Sequence, residues 1–279
     1  MSRLFRVTAF RAVALAGMAA LAAGCIVAGV ASASSGSPSP AAASQPAIDH
    51  QLCYTAAGTG FKPPPTALLQ NQFNTAGFTV KIGAMVVHCN PVKKTLVSGP
   101  VYPISNPNAH LACFTISAPT QATFEVTVAN QFGTALLSTG QPNMLCLPSW
   151  KSLTGPPGMS PNQPPGLSHF TCYPVQRVSG AYNPPGLTLQ DEFATAPVSA
   201  QVGQVPTELC LPTQKTINGT VYPIVNSTWH LLCFPVSKTP IIPTVWDQNQ
   251  FGTATVEVEA TNSLCVPSTK TISSTSPAP

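Results

Sequence analysis

Charge is what this sequence has least of. Among 279 residues only 8 are acidic and 12 basic, and 31 prolines with 19 glycines leave no long stretch free of breakers. A coiled coil, a long helical bundle and a charge-driven disordered chain are excluded, because each needs many charges or long uninterrupted segments. Three of the bases, Arg3, Arg6 and Arg11, precede an apolar, small-residue run over 12–30, and Ala31-Ser32-Ala33 supplies the small residues that signal cleavage requires. Residues 1–33 are therefore expected to be a signal peptide. Taking those three from the 12 bases leaves nine against 8 acids, too even a balance for binding runs of phosphate, so nucleic acid is not an expected partner. Ala22-Ala23-Gly24-Cys25 makes Cys25 a candidate lipidation site. Membrane attachment is expected only through a lipid on Cys25 or a retained signal; the expected location is secreted, at or near the cell surface.

Nine cysteines less Cys25 leave eight, an even number suited to disulfides in an oxidising compartment. They fall in a repeat. His50, His110, His169 and His230 each open a His-x-x-Cys-aromatic step, at Cys53, Cys113, Cys172 and Cys233. Each segment later carries a polar-polar-Phe step, at Asn71-Gln72-Phe73, Asn130-Gln131-Phe132, Asp191-Glu192-Phe193 and Asn249-Gln250-Phe251. Each closes on Cys-x-Pro-x-x-Lys, from Cys89, Cys146, Cys210 and Cys265 to Lys94, Lys151, Lys215 and Lys270. Pairing within a segment is the simplest scheme, closing loops of about 30–40 residues worth roughly 3–4 kcal/mol each. A swapped scheme between partner segments stays open.

The segments alternate. Val101-Tyr102-Pro103-Ile104 recurs as Val221-Tyr222-Pro223-Ile224, and Gln131-Phe132-Gly133 as Gln250-Phe251-Gly252. The larger unit is thus a pair of segments, expected as two tandem domains at 49–151 and 169–270. A Pro/Gly-rich linker at 152–168 would join them, with a disordered Ser/Ala/Pro stalk at 34–48 and a disordered tail at 271–279. Alternation such as Phe78, Val80, Ile82 against Thr79, Lys81 reads as half-buried strand. The fold class expected is all-β, two antiparallel sandwich-like or barrel-like domains, each an internally duplicated pair of segments of about 60 residues. Residues 66–70 suit a single helical turn.

Together the His-x-x-Cys-aromatic opening, the Asn/Asp-Gln-Phe step and the Cys-x-Pro-x-x-Lys closure resemble a domain of unknown function that occurs in tandem in secreted prokaryotic proteins. The likeness spans about residues 50–270, and departs from the pattern at Asp191-Glu192-Phe193 and Cys89-Asn90-Pro91. It implies an extracellular β-rich module and supplies no site residues.

The chemistry is weighed residue by residue. Histidine and cysteine are good metal ligands, but residues three apart on a strand point to opposite faces, so a metal-binding module is the alternative and no metal ligand is assigned. The four repeated histidines are expected to hydrogen-bond a turn, with the Asn/Asp of the polar-polar-Phe step as partner, and the four lysines to be solvated at strand ends. His88 lies outside the repeat and is expected on the surface. No Gly-x-Ser-x-Gly elbow is present. A cell-envelope hydrolase using His88 or Asp191 is the second alternative, but a constellation copied four times suits a shared fold better than catalysis. The first reading is a non-catalytic binding or structural module, with no catalytic residue and no cofactor. Trp150, Trp229 and Trp246 each break the repeat and are the candidate ligand-stacking residues, for a cell-surface polysaccharide or protein.

Overall fold

The computed structural model describes residues 48–158, 163–237 and 244–276. The signal peptide, Cys25 and most of the stalk lie outside them. Seventeen strands and no helix are present among these residues. The first segment forms β1 (Gln51–Thr59), β2 (Thr66–Asn71), β3 (Asn74–Pro91) and β4 (Lys93–Leu96), the second β5 (Val101–Tyr102), β6 (His110–Ser117), β7 (Thr123–Asn130), β8 (Gly133–Thr139) and β9 (Met144–Ser152). The third forms β10 (His169–Tyr182), β11 (Leu187–Gln190), β12 (Val198–Ala200) and β13 (Glu208–Ile217), the fourth β14 (Thr220–Tyr222), β15 (His230–Pro235), β16 (Val245–Asn249) and β17 (Gly252–Ser276). Residues 66–70, expected as a helical turn, lie in β2; tertiary pairing with β3 and β13 overrides the local preference.

Within each segment the two cysteines face each other across an antiparallel pair. Cys53 is bonded to Cys89, Cys113 to Cys146, Cys172 to Cys210 and Cys233 to Cys265. The Cα atoms stand 3.9–4.0 Å apart, the short spacing of a non-hydrogen-bonded pair, where facing side chains come closest. Each cysteine strand also pairs with one from the adjacent segment: β3 with β6, β9 with β10, β13 with β15, and β17 back with β1. The eight strands close into one antiparallel barrel without a free edge.

The expected division into two tandem domains is not confirmed. Four barrel strands come from each half, and the described residues fall in a single compact unit. Either half alone would expose two open edges; β9–β10 and β17–β1 cover them. The expected linker is docked rather than free: Leu167 and Ser168 are buried, and Gln163 accepts a hydrogen bond from Gln250. Part of the expected disordered tail is strand, since Thr271–Ser276 pairs with Thr123–Thr127 of β7.

The proline of Cys-x-Pro now has a physical reason. Pro91, Pro148, Pro212 and Pro267 lie opposite Gln51, Leu111, Phe170 and Leu231, two residues beyond the cysteine pairs. They share the non-hydrogen-bonded alignment, so each proline nitrogen faces the other neighbour, where the ladder to the adjacent segment has just ended at the second cysteine. A residue without N–H stops that ladder at no cost. The strand then leaves the barrel and pairs with a hairpin from the segment two places away: β4 with β11, β9 with β16, β13 with β2, β17 with β7.

The barrel interior is lined by the four disulfides. Neighbouring disulfides touch, with Cys53 Sγ 3.6 Å from Cys265 Sγ and Cys146 Sγ 3.8 Å from Cys172 Sγ. Leu111, Phe170 and Leu231 pack beside them. A second core lies between the barrel wall and the hairpins, and includes Leu69, Phe114, Val126, Leu189 and Phe234.

Non-reducing peptide mapping of secreted protein is expected to return the pairs 53–89, 113–146, 172–210 and 233–265, with no free thiol among the eight. Replacing both Cys172 and Cys210 by Ala should lower the unfolding free energy by about 3–4 kcal/mol in a urea titration.

Candidate functional site

The polar-polar-Phe steps are hairpin tips. In each, the first side chain turns back to accept the Phe amide hydrogen: Asn71 from Phe73, Asn130 from Phe132, Asp191 from Phe193 and Asn249 from Phe251. Such Asx turns are why the step begins with Asn or Asp. Behind one tip, Gly133 adopts φ 141°, and a Cβ there would sit 2.5 Å from the Ala181 carbonyl.

Every tip inserts among residues of other segments. The tip Phe meets, edge-on, the aromatic after a first cysteine two segments away: Phe193 on Tyr54, Phe251 on Phe114, Phe73 on Tyr173, Phe132 on Phe234. The second polar residue meets the repeated histidine of the preceding segment. His169 Nε2 lies 3.1 Å from Gln250 Oε1, His230 Nε2 3.1 Å from Gln72 Oε1, and the Gln131 amide donates to His50 Nε2 at 2.6 Å. The histidines thus bind a turn as expected, through its second residue rather than its Asn/Asp.

The lysines are not solvated strand ends. Lys94 and Lys215 are fully buried, and each of the four ammonium groups lies over a tip Phe, from 4.2 Å for Lys151–Phe193 to 4.9 Å for the others. Tyr102 and Tyr222 close over Lys94 and Lys215. The strand continuing past the proline points the lysine inward at the tip, where ring faces replace part of its hydration. Burial pushes Lys94 and Lys215 down to about 7 and Lys270 down to about 8. Burial, then the neighbouring lysine, holds His50, His110 and His169 well below the ordinary histidine value, and pushes His230 down to about 4.

One junction differs. Around the third tip, Lys151 Nζ is 2.9 Å from Glu192 Oε2 and donates to Asn90 Oδ1 at 2.8 Å. His110 Nδ1 lies 3.1 Å from the same Asn90 oxygen, and His88 Nε2 2.8 Å from it. His88 Nδ1 faces Asp247 Oδ2 at 3.0 Å, while Asp191 Oδ2 accepts from Asn90 Nδ2 at 2.8 Å and from the Tyr54 hydroxyl at 2.7 Å. His88, Asn90 and Asp247 are 0% exposed and Asp191 6%, so only Glu192, with 42% of its side chain exposed, reaches solvent. His88 is therefore not a surface residue. Both its nitrogens and both Asp191 oxygens are engaged within this network.

Alignment of the segments explains the convergence. His88 stands where the others have Leu145, Leu209 and Leu264; Asn90 where they have Leu147, Leu211 and Val266; Asp247 where they have Leu69, Val128 and Leu189. Asp191 and Glu192 replace Asn and Gln. Five departures at five repeat positions meet in one buried network. Asp247 escaped the reading of motifs because it lies two residues outside the quoted step; writing the segments one beneath another reveals it as the only charged residue in its column.

Trp150 and Trp246 lie on the strands that supply Lys151 and Asp247. Trp150 is opposite Gln248 and Ser152 opposite Trp246, while Lys151 is opposite Asp247. The two tryptophans therefore share the outer face of the β9–β16 pair, whose inner face carries the ion network. Trp229 is elsewhere, packed against the barrel-interior cluster. The one set of closely grouped His/Cys/Asp/Glu donors among the described residues is Cys172, Glu208 and Cys210, and both cysteines there are disulfide-bonded. No protein-family model, curated protein or solved structure matches this chain.

Two outcomes test this site. The four repeated histidines, His50, His110, His169 and His230, resist protonation when folded, so below about pH 6.5 the unfolded chain binds more protons. The histidine contribution is complete above pH 6.5 and is lost as pH drops toward 4, by on the order of 3 kcal/mol from His230 alone; Lys94, Lys215 and Lys270 add a separate rise from about pH 7 upward. Urea midpoints across pH should show this, with H230Q flattening the acid limb. Separately, H88L or D247L alone should cost about 3–5 kcal/mol by stranding a buried partner. The double variant, which restores the apolar pair found elsewhere, should recover most of that loss in a double-mutant cycle.

Proposed function

We propose that the chain is a secreted, non-catalytic recognition module whose contact surface is the outer face of β9, β16 and β17, and whose ligand is a cell-surface polysaccharide. The observation that carries this reading is the shared face of Trp150 and Trp246, both partly exposed and both departures from the repeat. Trp150 stands where Gln214 and Thr269 lie in other segments, Trp246 where Leu68, Thr127 and Thr188 lie. Register with β17 adds Thr253 and Thr255 beside Gln248 and Trp246. Indole rings next to hydroxyl and amide groups suit a pyranose, whose C–H face stacks on the ring while its hydroxyls find polar partners. Four disulfides favour an oxidising, extracellular location, and the amino-terminal segment reads as an export signal. The resemblance to a tandem domain of secreted prokaryotic proteins belongs to this reading. So does descent of the four segments from one ancestral unit, which the recurring cystine, tip and Lys–Phe contacts support.

Affinity electrophoresis through a panel of cell-wall and capsular glycans tests it. Retardation is expected in at least one glycan, weakened about tenfold by W150A or W246A and abolished in the pair, with W229A changing folding rather than binding. Equal migration of wild type and the double variant in every glycan would overturn it.

A further inference from the structure

The third tip borders a cavity of about 400 Å³, away from the tryptophan face and independent of the glycan reading. Its walls are Pro91, Ile104 and Pro107, and its charged groups are Lys93, Asp191 and Glu192. Two of those groups have spare capacity. Lys151 and His110 both approach Oε2 of Glu192, at 2.9 and 3.8 Å, and Oε1 makes no bond among the described residues. Lys93 is exposed, and its ammonium makes no hydrogen bond or ion pair among those residues. Like Glu192, Lys93 departs from the repeat, standing where Trp150, Gln214 and Thr269 lie in the other segments.

The backing of Glu192 gives the site a fixed geometry. Burial drives His110 well below the ordinary histidine value, so it adds no positive charge there. Lys151 is held by Asn90 and by the ring of Phe193, 4.2 Å from its ammonium, and it in turn holds the carboxylate. The three other tips carry neutral Gln at this place. A pre-positioned carboxylate oxygen, a free ammonium and an apolar wall in one cavity are complementary to a molecule bearing both charges on a short carbon frame.

We propose that this cavity binds a small zwitterion, its ammonium donating to Glu192 Oε1 and its carboxylate paired with Lys93, with a free α-amino acid as the simplest such ligand. Asp191, saturated by Tyr54, Asn90 and its own turn, positions the tip and does not touch the ligand.

Titration of the ¹⁵N-labelled, disulfide-intact protein with L-alanine, 4-aminobutyrate, methylamine and acetate, followed by amide chemical shifts, tests the proposal. One of the two zwitterions is expected to give saturable shifts at Lys93 and at Gln190–Phe193, and to bind at least tenfold more tightly than either singly charged probe. E192Q, which installs the residue other tips carry and so keeps the fold, and K93M, at an exposed position, should each weaken binding about tenfold or more. The W150A/W246A protein should bind as wild type does, which separates this site from the glycan surface. Absence of saturable shifts with both zwitterions up to about 10 mM, or unchanged affinity in both E192Q and K93M, would overturn it.

Discussion

Direct opposition of two cysteines in a non-hydrogen-bonded antiparallel pair is the constraint from which the remaining architecture follows. It sets the register of each segment's two barrel strands, and register decides which side chains enter the barrel. Two residues on, the same alignment aims each proline's missing N–H at the adjacent segment. The ladder ends there, the strand swings outward, and the lysine three residues after the proline comes to rest opposite a hairpin of the segment two places away. The sulfur atoms also do the packing that large aliphatic residues do in other barrels. The disulfides touch in two neighbouring pairs, and the flanking positions hold Gln51, Leu111, Phe170 and Leu231.

The hairpin tips are where the segments hold one another. Each combines an Asx turn, an edge-on aromatic contact and a buried lysine over a ring face, and each draws its partners from more than one segment. Interlocking of this kind makes the chain cooperative from end to end, because removing one segment strips partners from the others. The charges set at these tips, Lys94, Lys215, Asp191 and Asp247, are buried and face rings, amides or each other.

Against that uniform background the third junction stands out. Three tips hold a neutral Gln against the repeated His; the third holds a carboxylate, backed by polar residues at places that are apolar in the other segments. Replacing Leu by His88, Asn90 and Asp247 in a core costs stability unless every partner is present. Such a departure from the local rule is the kind found where a protein acts rather than merely folds. The ion network lies under β9 and β16, and the two tryptophans lie above the same strands.

The amino-acid sequence by itself determined the all-β class, the spacing of the four segments and pairing within a segment as the simplest cysteine scheme, because spacing and period-two alternation are local properties of the chain. It also singled out His88, Asn90, Asp191, Glu192 and the tryptophans as departures. Tertiary structure alone decided that the two halves form one barrel, that Thr271–Ser276 is strand, and that the lysines and His88 are buried. Each of those depends on which distant strand covers an edge or a side chain, and sequence spacing carries no information about that. His88 beside Asp247 shows the limit: 159 residues separate them, and only closure of the ring and docking of β16 on β9 bring an imidazole and a carboxylate to 3.0 Å.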